Sequence, residues 1–332
     1  MGNSNSPNLW ELSDLCTPWC VHVVATLRVA QHIAAGKTEI DALATACGAH
    51  AGSLHRVMRH LISKGVFEEP SQGHFALNET ARGLLEVPIR LGLDLDSFGG
   101  RMANAWGSLL SAVRTGAPAY HTVFDRPFWE DLEANPAIAS SFDALMGPGH
   151  GRPDPDILCD RNSWSTVRTI VDVGGGTGSL LAEVLKAHPG VRGILVDLPR
   201  TAARSAEVFR NAGVEDRVTT CAQSFFDALP SGADLYLLKS VLSDWPDRDA
   251  LMILKRCAEA ARPSGRVILV NGVSPDDNGP VHPSILMMLL VGGKERGLSE
   301  FRTLARKAGL EVQSTEKQVS GRFIVECVPL PL

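Results

Sequence analysis

A glycine-rich turn between an apolar strand and a helix is the strongest constraint on the fold of this chain of 332 residues. Residues 170–173 are mostly apolar, residues 174–178 are Gly-Gly-Gly-Thr-Gly, and the apolar segment from Ser179 predicts a helix. Glycines allow a sharp turn and a close backbone approach to a ligand at the helix N-terminus. Residues 193–197 predict a second strand ending in Asp197, and an acid there can accept both hydroxyls of a ribose. The pattern indicates a cofactor that contains a nucleoside.

Composition and charge narrow the class of protein. The length suits about two domains, and the net charge of −5 does not favour nucleic acid as a partner. Seven cysteines without regular spacing favour reduced thiols and a cytoplasmic location. Cys16 and Cys20 are interpreted as packing residues, with no metal site, because no cluster of His and Cys accompanies them in the sequence. No signal peptide or membrane span is predicted.

The N-terminal part predicts a winged helix. Residues 10–35 predict a largely apolar helix, which must be buried in the core or in a partner subunit. A second helix is expected over 38–43 with Thr38 as its N-cap, and a third over 51–64. Short apolar segments on either side of residues 70–73 predict a hairpin.

A winged helix can bind DNA or serve as a scaffold. The third helix carries basic side chains from Arg56 to Lys64, but Glu68 and Glu69 in the hairpin would face phosphates poorly. We therefore expect a dimerisation module and a homodimer formed through the N-terminal helices.

Three regions are expected along the chain. Residues 1–90 form the winged-helix dimerisation domain, residues 91–160 a helical region that lines the substrate site, and residues 161–332 a Rossmann-like cofactor domain. The last region alternates strands and helices, which predicts a doubly wound α/β sheet with its ligands at the carboxyl ends of the strands. Its strands are predicted over 168–173, 193–197, 217–221, 234–238, 266–270 and 322–327.

The residues around the glycine turn resemble those of the small-molecule O-methyltransferases, a family that includes plant caffeate-type and bacterial natural-product enzymes. The dinucleotide pattern G-x-G-x-x-G fits less well, because position 179 is serine. The resemblance covers nearly the whole chain, including residues 128–131, 224–227, 244–245 and 292–296. It implies a class I methyltransferase fold, S-adenosylmethionine as cofactor and a small-molecule substrate of secondary metabolism.

The resemblance also implies which residues form the site. Gly174 and Gly176 would approach the methionine part of the cofactor, Asp197 would hold its ribose, and Leu198 would pack on its adenine. The other expected cofactor contacts are Ser224 and Phe225 near the adenine and Lys239 on the far side. The residues expected to bind the substrate are Phe128, Trp129, Phe142, Met146, Ser284, Met287 and Met288.

The catalytic positions depart from the family pattern. Ser243 stands where the family has a histidine base, and Asn271 and Ser284 stand where it has acids. A phenol with a pKa of about 10 is mostly protonated at neutral pH, and a general base is worth roughly 10²–10⁴-fold in rate. His282 is the best candidate for a replacement base, so Ser243, Asn271 and His282 are the candidate catalytic residues.

Two kinds of enzyme fit this combination. The first transfers a methyl group, without a histidine base, to a small aromatic or polyketide-like acceptor that is already nucleophilic. The alternative is a non-methylating enzyme on the same fold, a hydroxylase, decarboxylase or pericyclase, that uses the cofactor as an electrostatic or structural element. A winged-helix regulator is a third, less favoured interpretation.

Overall fold

The computed structural model describes residues 8–146, 164–275, 285–318 and 321–331. The chain divides into two compact units, one of residues 1–104 with 137–145, the other of residues 105–136 with 146–332. The segment 91–160 is shared between the units, and the domain boundaries at residues 90 and 160 stay predictions.

The first unit consists of short helices and one hairpin. The helices are α1 (Leu9–Leu12), α2 (Cys16–Thr26), α3 (Val29–Ala34), α4 (Ile40–Cys47), α5 (Ala51–Ser63), α6 (Glu79–Arg82), α7 (Val87–Leu93) and α8 (Phe98–Ala105), and the hairpin strands are β1 (Glu68–Ser71) and β2 (His74–Ala76). Its core is formed by apolar side chains of α2 to α5 and the hairpin, including Val24, Leu43, Met58, Phe67 and Phe75. The three-helix and hairpin arrangement of a winged helix is present.

Two details of the N-terminal prediction are wrong. The helix over 10–35 is interrupted at residues 13–15, between α1 and α2, and again at Arg28, whose left-handed φ of 55° separates α2 from α3. The N-cap of α4 is Glu39, whose carboxylate accepts from the N–H groups of Asp41 and Ala42 at 3.1 and 3.0 Å. Thr38 instead accepts at its carbonyl from the Phe75 N–H, 2.8 Å away. This bond ties Thr38 to the hairpin, so the helix begins later.

The second unit contains a seven-stranded sheet. Its strands are β3 (Thr169–Val173), β4 (Arg192–Asp197), β5 (Val218–Ala222), β6 (Leu235–Lys239), β7 (Arg266–Val270), β10 (Leu310–Lys317) and β11 (Phe323–Pro329), in the spatial order β10-β11-β7-β6-β3-β4-β5. The five strands from β5 to β7 are parallel, and β11 is antiparallel to both β7 and β10. The sequence did not predict β10, because most of this edge strand is polar and exposed.

The remaining helices precede, connect or follow the sheet strands along the chain. They are α9 (Leu109–Thr115), α10 (His121–Phe124), α11 (Phe128–Ala134), α12 (Pro136–Met146), α13 (Ser179–Ala187), α14 (Pro199–Ala203), α15 (Ser205–Ala212), α16 (Asp247–Ala260), α17 (Ile285–Val291) and α18 (Leu298–Lys307), with a short parallel pair β8 (Val273–Ser274) and β9 (Arg296–Gly297). Of these, α12 belongs almost entirely to the first unit. Neighbouring strand residues alternate between two apolar clusters, with Val171 in one and Ile170 in the other. This period of two shows a sheet covered on both faces. Among the described helices, none is both long and apolar enough to cross a bilayer.

A buried arginine fixes the turn that follows β6. Arg296 is fully buried, and its guanidinium donates to the carbonyls of Leu242 and Trp245 at 3.0 and 2.7 Å. Its Nε also pairs with Asp247 at 2.9 Å. Burial raises the pKa of Asp247, but hydrogen bonds from Lys294 and Arg296 outweigh burial and hold the pKa below its usual value. One side chain thus ties the residue 242–245 turn to the start of α16.

Replacing this arginine tests its role. We expect Arg296→Met to lower the free energy of unfolding by about 3 kcal/mol, because the carbonyls of Leu242 and Trp245 lose the donors that the buried guanidinium supplies. Urea unfolding followed by tryptophan fluorescence measures the effect. Arg248→Met is the matched control, since Arg248 is largely exposed and an exposed ion pair contributes about 0–1 kcal/mol. Equal stability of the two variants would contradict the role assigned to Arg296.

Candidate active site

The glycine turn leaves bare backbone at one position. Gly174, Gly176 and Gly178 have φ values of 70°, 62° and 79°, a region that side chains disfavour. A Cβ on Gly174 would lie 2.9 Å from Val241, and one on Gly178 would lie 2.3 Å from the ring of Phe209. A Cβ on Gly176 would meet nothing within 4 Å. Gly174 and Gly178 are therefore required by packing, whereas Gly176 opens to space that a ligand can occupy.

Asp197 meets this turn from the end of the neighbouring strand. Its Oδ2 accepts from the Gly176 N–H at 2.8 Å, and its Oδ1 accepts from the Leu198 N–H at 2.8 Å. A carboxylate accepts at about four positions, which suits a residue that both orders the turn and receives hydroxyl groups. The structure thus brings together Gly176, Asp197 and Leu198 from the predicted cofactor set.

The sequence analysis missed a second carboxyl group at the turn. Asp172 is only 2% exposed, and its Oδ2 has no hydrogen-bond partner in the described part of the protein. Burial raises the pKa of Asp172 to about 7, the nearby carboxylate of Asp197 adds to the rise, and Lys239 opposes it. The signal that could have revealed it is an acid inside an apolar strand, directly before the glycine turn.

Aromatic side chains gather beside Gly174. The ring of Phe225 contacts the position of a Gly174 Cβ at 3.3 Å, and Ser224 accepts at its hydroxyl from the Phe226 N–H at 3.2 Å. The centroid of Trp245 lies 5.7 Å from that of Phe225. Trp129 stacks on Trp245 at 6.3 Å. A predicted cofactor residue, Phe225, and a predicted substrate residue, Trp129, thus belong to one cluster that Trp245 connects.

The candidate catalytic residues lie on loops after neighbouring parallel strands. Lys239 ends β6, and Asn271 follows β7 and donates to the Ser240 hydroxyl at 3.2 Å. Ser243 packs against Gly272: a Cβ on Gly272 would lie 3.2 Å from the backbone nitrogen of Ser243. Ser243 and Asn271 are therefore on adjacent loops at the carboxyl edge of the sheet. No histidine occurs in residues 240–246 or 271–275.

Asp244 supplies a titratable group next to Ser243. Burial raises the pKa of Asp244 to about 7, and a hydrogen bond from the Ser243 hydroxyl opposes the rise. Because this bond engages the Ser243 proton, the lone pairs of its oxygen can accept a hydrogen bond from another hydroxyl. The pair can orient a hydroxyl group and, above neutral pH, attract its proton.

The other predicted substrate residues are dispersed. Phe128 is 3% exposed and packs against Tyr120 and Trp129 at 5.3 and 4.8 Å. Phe142 belongs to the first unit, where it packs on Phe98. Met146 is 60% exposed, and Met287 and Met288 are half-buried on α17. His282 and Ser284 lie outside the described residues.

Comparisons with known proteins agree with this organisation. Residues 106–311 match the O-methyltransferase domain, and residues 10–86 match the O-methyltransferase dimerisation domain. A 2,7-dihydroxy-5-methyl-1-naphthoate 7-O-methyltransferase of Streptomyces carzinostaticus is 40% identical over 96% of both chains. An aclacinomycin 10-hydroxylase of Streptomyces purpurascens is 38% identical over 92% of this chain and 84% of its own.

A solved structure is similar over the whole fold. It is an O-methyltransferase of neocarzinostatin biosynthesis in complex with S-adenosylmethionine and 2-hydroxy-5-methyl naphthoic acid. It matches with a TM-score of 0.91 and 39% identity, covering 98% of this chain and all of its own. The family resemblance and the class I methyltransferase fold expected from the sequence are confirmed: the chain belongs to the O-methyltransferase family and is an enzyme of that fold.

Proposed function

We propose that this enzyme uses S-adenosylmethionine to methylate a hydroxyl group on a small, bicyclic or larger aromatic acceptor in bacterial natural-product biosynthesis. The observation that carries the proposal is the open backbone of Gly176 held against the Asp197 carboxylate. A relative at 40% identity is named for a dihydroxynaphthoate, and the similar solved structure holds a naphthoic acid beside S-adenosylmethionine. Both support an aromatic acceptor of that size.

The residues present fit the cofactor. Ribose hydroxyls suit the carboxylate of Asp197, and an adenine suits the apolar surfaces of Leu198 and Phe225. The unpartnered Oδ2 of Asp172 suits a cationic group such as the ammonium of the methionine part. Gly174 and Ser224 border this region, and Lys239 is near enough to Asp172 to lower its pKa. When bound, the cofactor would supply an electrophilic methyl group.

We infer that Ser243 and Asp244 handle the proton of the acceptor hydroxyl. The Ser243 oxygen would accept this proton in a hydrogen bond, while its own proton is shared with the Asp244 carboxylate. The new carbon–oxygen bond would form as the sulfur–methyl bond breaks, with S-adenosylhomocysteine as the leaving group. The hydroxyl proton would pass to Ser243 as the proton of Ser243 passes to ionised Asp244, which is the base. Asn271 would hold the acceptor from the adjacent loop. His282 stays a candidate base, but the relay through Ser243 and Asp244 does not require it.

The remaining substrate residues keep their predicted role. Trp129 is the member of the set with a described connection to the cofactor region, through its stack on Trp245. We propose that Phe128, Met146, Ser284, Met287 and Met288 complete the enclosure of the acceptor, while the role of Phe142 in substrate binding stays a prediction.

A second candidate function is hydroxylation. It is favoured by the 38% identity to the aclacinomycin 10-hydroxylase and by the serine at position 243. In this function the cofactor is held at the same turn but is not consumed.

A methyl-transfer assay separates the two functions. The purified enzyme is incubated with labelled S-adenosylmethionine and a series of hydroxynaphthoic acids. We expect one S-adenosylhomocysteine for each product that is heavier by one methyl group. Oxygenated product with the cofactor intact would support the hydroxylase instead.

The same experiment includes Asp197→Ala. We expect cofactor affinity by calorimetry to fall about 10- to 100-fold, as for the loss of hydrogen bonds to a charged group. Asp216→Ala is the matched control, because Asp216 lies in a turn after α15 and outside the site. Unchanged affinity in Asp197→Ala would reject the ribose assignment.

The Ser243 and Asp244 pair predicts the pH dependence of catalysis. Only ionised Asp244 accepts a proton, so kcat/KM should rise as the pH passes about 7. Asp244→Asn should lower kcat/KM at pH 8 by about 100-fold and abolish the rise, and Ser243→Ala should also flatten the profile. Asp249→Asn is the control, because Asp249 pairs with the exposed Arg248 at the start of α16. A pH profile of Asp244→Asn that matches the wild type would contradict the relay.

We infer that the first unit forms a homodimer and does not bind DNA. Its first helices expose large apolar residues that a lone chain leaves in water: Leu9, Trp10, Leu12 and Leu15 are 68–86% exposed. Glu69 of the hairpin lies 3.9 Å from both His55 and Arg59 of α5, which offsets the charge of the helix that would read DNA. The free thiols of the described cysteines support the expected cytoplasmic location.

Charged substitutions test the assembly. We expect wild-type enzyme to have twice the mass of one chain by light scattering, and Trp10→Asp with Leu15→Asp to shift it toward one chain. Met252→Asp, an exposed apolar residue of α16, is the control and should stay dimeric. A monomeric wild type, or salt-sensitive and sequence-specific binding in a DNA mobility-shift assay, would overturn this inference.

A further inference from the structure

Three metal-ligating side chains meet in the first unit, outside the residues assigned to the cofactor and acceptor. Cys16 and Cys20 lie four residues apart on α2, and His60 comes from α5. One ligand atom of each lies within 4.8 Å of the others, and the two sulfur atoms are 3.9 Å apart. Two sulfur atoms on one tetrahedral zinc, with bonds of about 2.3 Å, lie about 3.8 Å apart. The spacing of the thiols already matches a shared zinc ion.

We propose that Cys16, Cys20 and His60 form a zinc site that links α2 to α5. Thiolate and imidazole ligands favour Zn²⁺ over Mg²⁺ and Ca²⁺, which prefer oxygen. Water completes the tetrahedron as the fourth ligand. Each thiol loses its proton when its sulfur binds, so two protons are released and the two thiolates neutralise the charge of the ion.

The surrounding contacts position these ligands before any ion binds. Asp14 accepts at its Oδ1 from the N–H groups of Cys16 and Thr17, at 2.8 and 3.3 Å, which fixes the first turn of α2. The Thr17 hydroxyl and Nε2 of His60 are 2.8 Å apart. Residues four apart share one face of a helix, so both sulfur atoms point toward the ring that Thr17 holds. Such contacts around the ligands are typical of metal sites.

The sequence analysis interpreted the two cysteines as packing residues, because no cluster of His and Cys accompanies them. His60 lies on another helix, and only the packing of α2 against α5 brings it into position.

Metal titration of the reduced, full-length enzyme tests the proposal. After treatment with a chelator, we expect one Zn²⁺ per chain in competition with a chromophoric chelator, with protons released on binding. Co²⁺ in place of Zn²⁺ should give thiolate-to-cobalt charge-transfer absorption and the visible bands of tetrahedral cobalt. Cys16→Ser, Cys20→Ser and His60→Gln should each weaken binding by at least about tenfold, since even changes around the ligands cost that much.

Two matched variants separate this site from adventitious binding. Cys47→Ser removes another partly buried thiol of the same unit, and His55→Gln removes another imidazole of α5. Both should bind Zn²⁺ as the wild type does, and none of the five variants should change the affinity for S-adenosylmethionine. Binding that does not saturate at one ion, a cobalt spectrum without thiolate absorption, or equal losses in Cys16→Ser and Cys47→Ser would overturn the proposal.

Discussion

The hydrogen bond from the Gly176 N–H to the Asp197 carboxylate is the contact on which the site depends. It joins the loop after β3 to the last residue of β4, and these two parallel strands pair in register from Thr169 with Arg192 to Val173 with Val196. Parallel pairing carries both chain segments to the same edge of the sheet, and the bond then fixes the carboxylate against the open face of the turn. Without this bond, nothing would hold the Asp197 carboxylate beside the open backbone of Gly176.

Local patterns explain why this half of the site could be predicted. The glycines and Asp197 occupy positions that follow from two adjacent strand–loop segments, so their meeting requires only that β3 and β4 pair. The winged helix could be predicted in the same way, because its apolar spacing and its hairpin turn each lie within a short segment of sequence. The errors of the sequence-based prediction also have physical causes. A left-handed Arg28 interrupts a continuous apolar segment, and β10 is too polar at the sheet edge to resemble a strand.

The catalytic half depends on contacts between distant parts of the sequence. The 242–245 turn is held by Arg296 from β9, and Gly293 packs so closely on it that a Cβ there would lie 2.2 Å from the Ser243 carbonyl oxygen. The sequence places Ser243 and Asp244 next to each other, but it does not show that the pKa of Asp244 is raised to about 7. That property arises from burial, which only the assembled loops determine.

The buried carboxyl group of Asp172 lowers the stability of the folded chain at neutral pH, and a bound cation would offset this cost. An unfolded aspartate titrates near pH 4, whereas burial raises the pKa of Asp172 in the folded chain to about 7. Between these values the folded state holds a proton that the unfolded state has lost, so this group's contribution to stability falls as the pH rises and is least favourable above 7. A cation placed beside Oδ2 favours the ionised form and offsets this cost. A cationic ligand bound there would couple its binding to folding through the acid directly before the glycine turn, most strongly above pH 7, where the ionised carboxylate costs the folded state most.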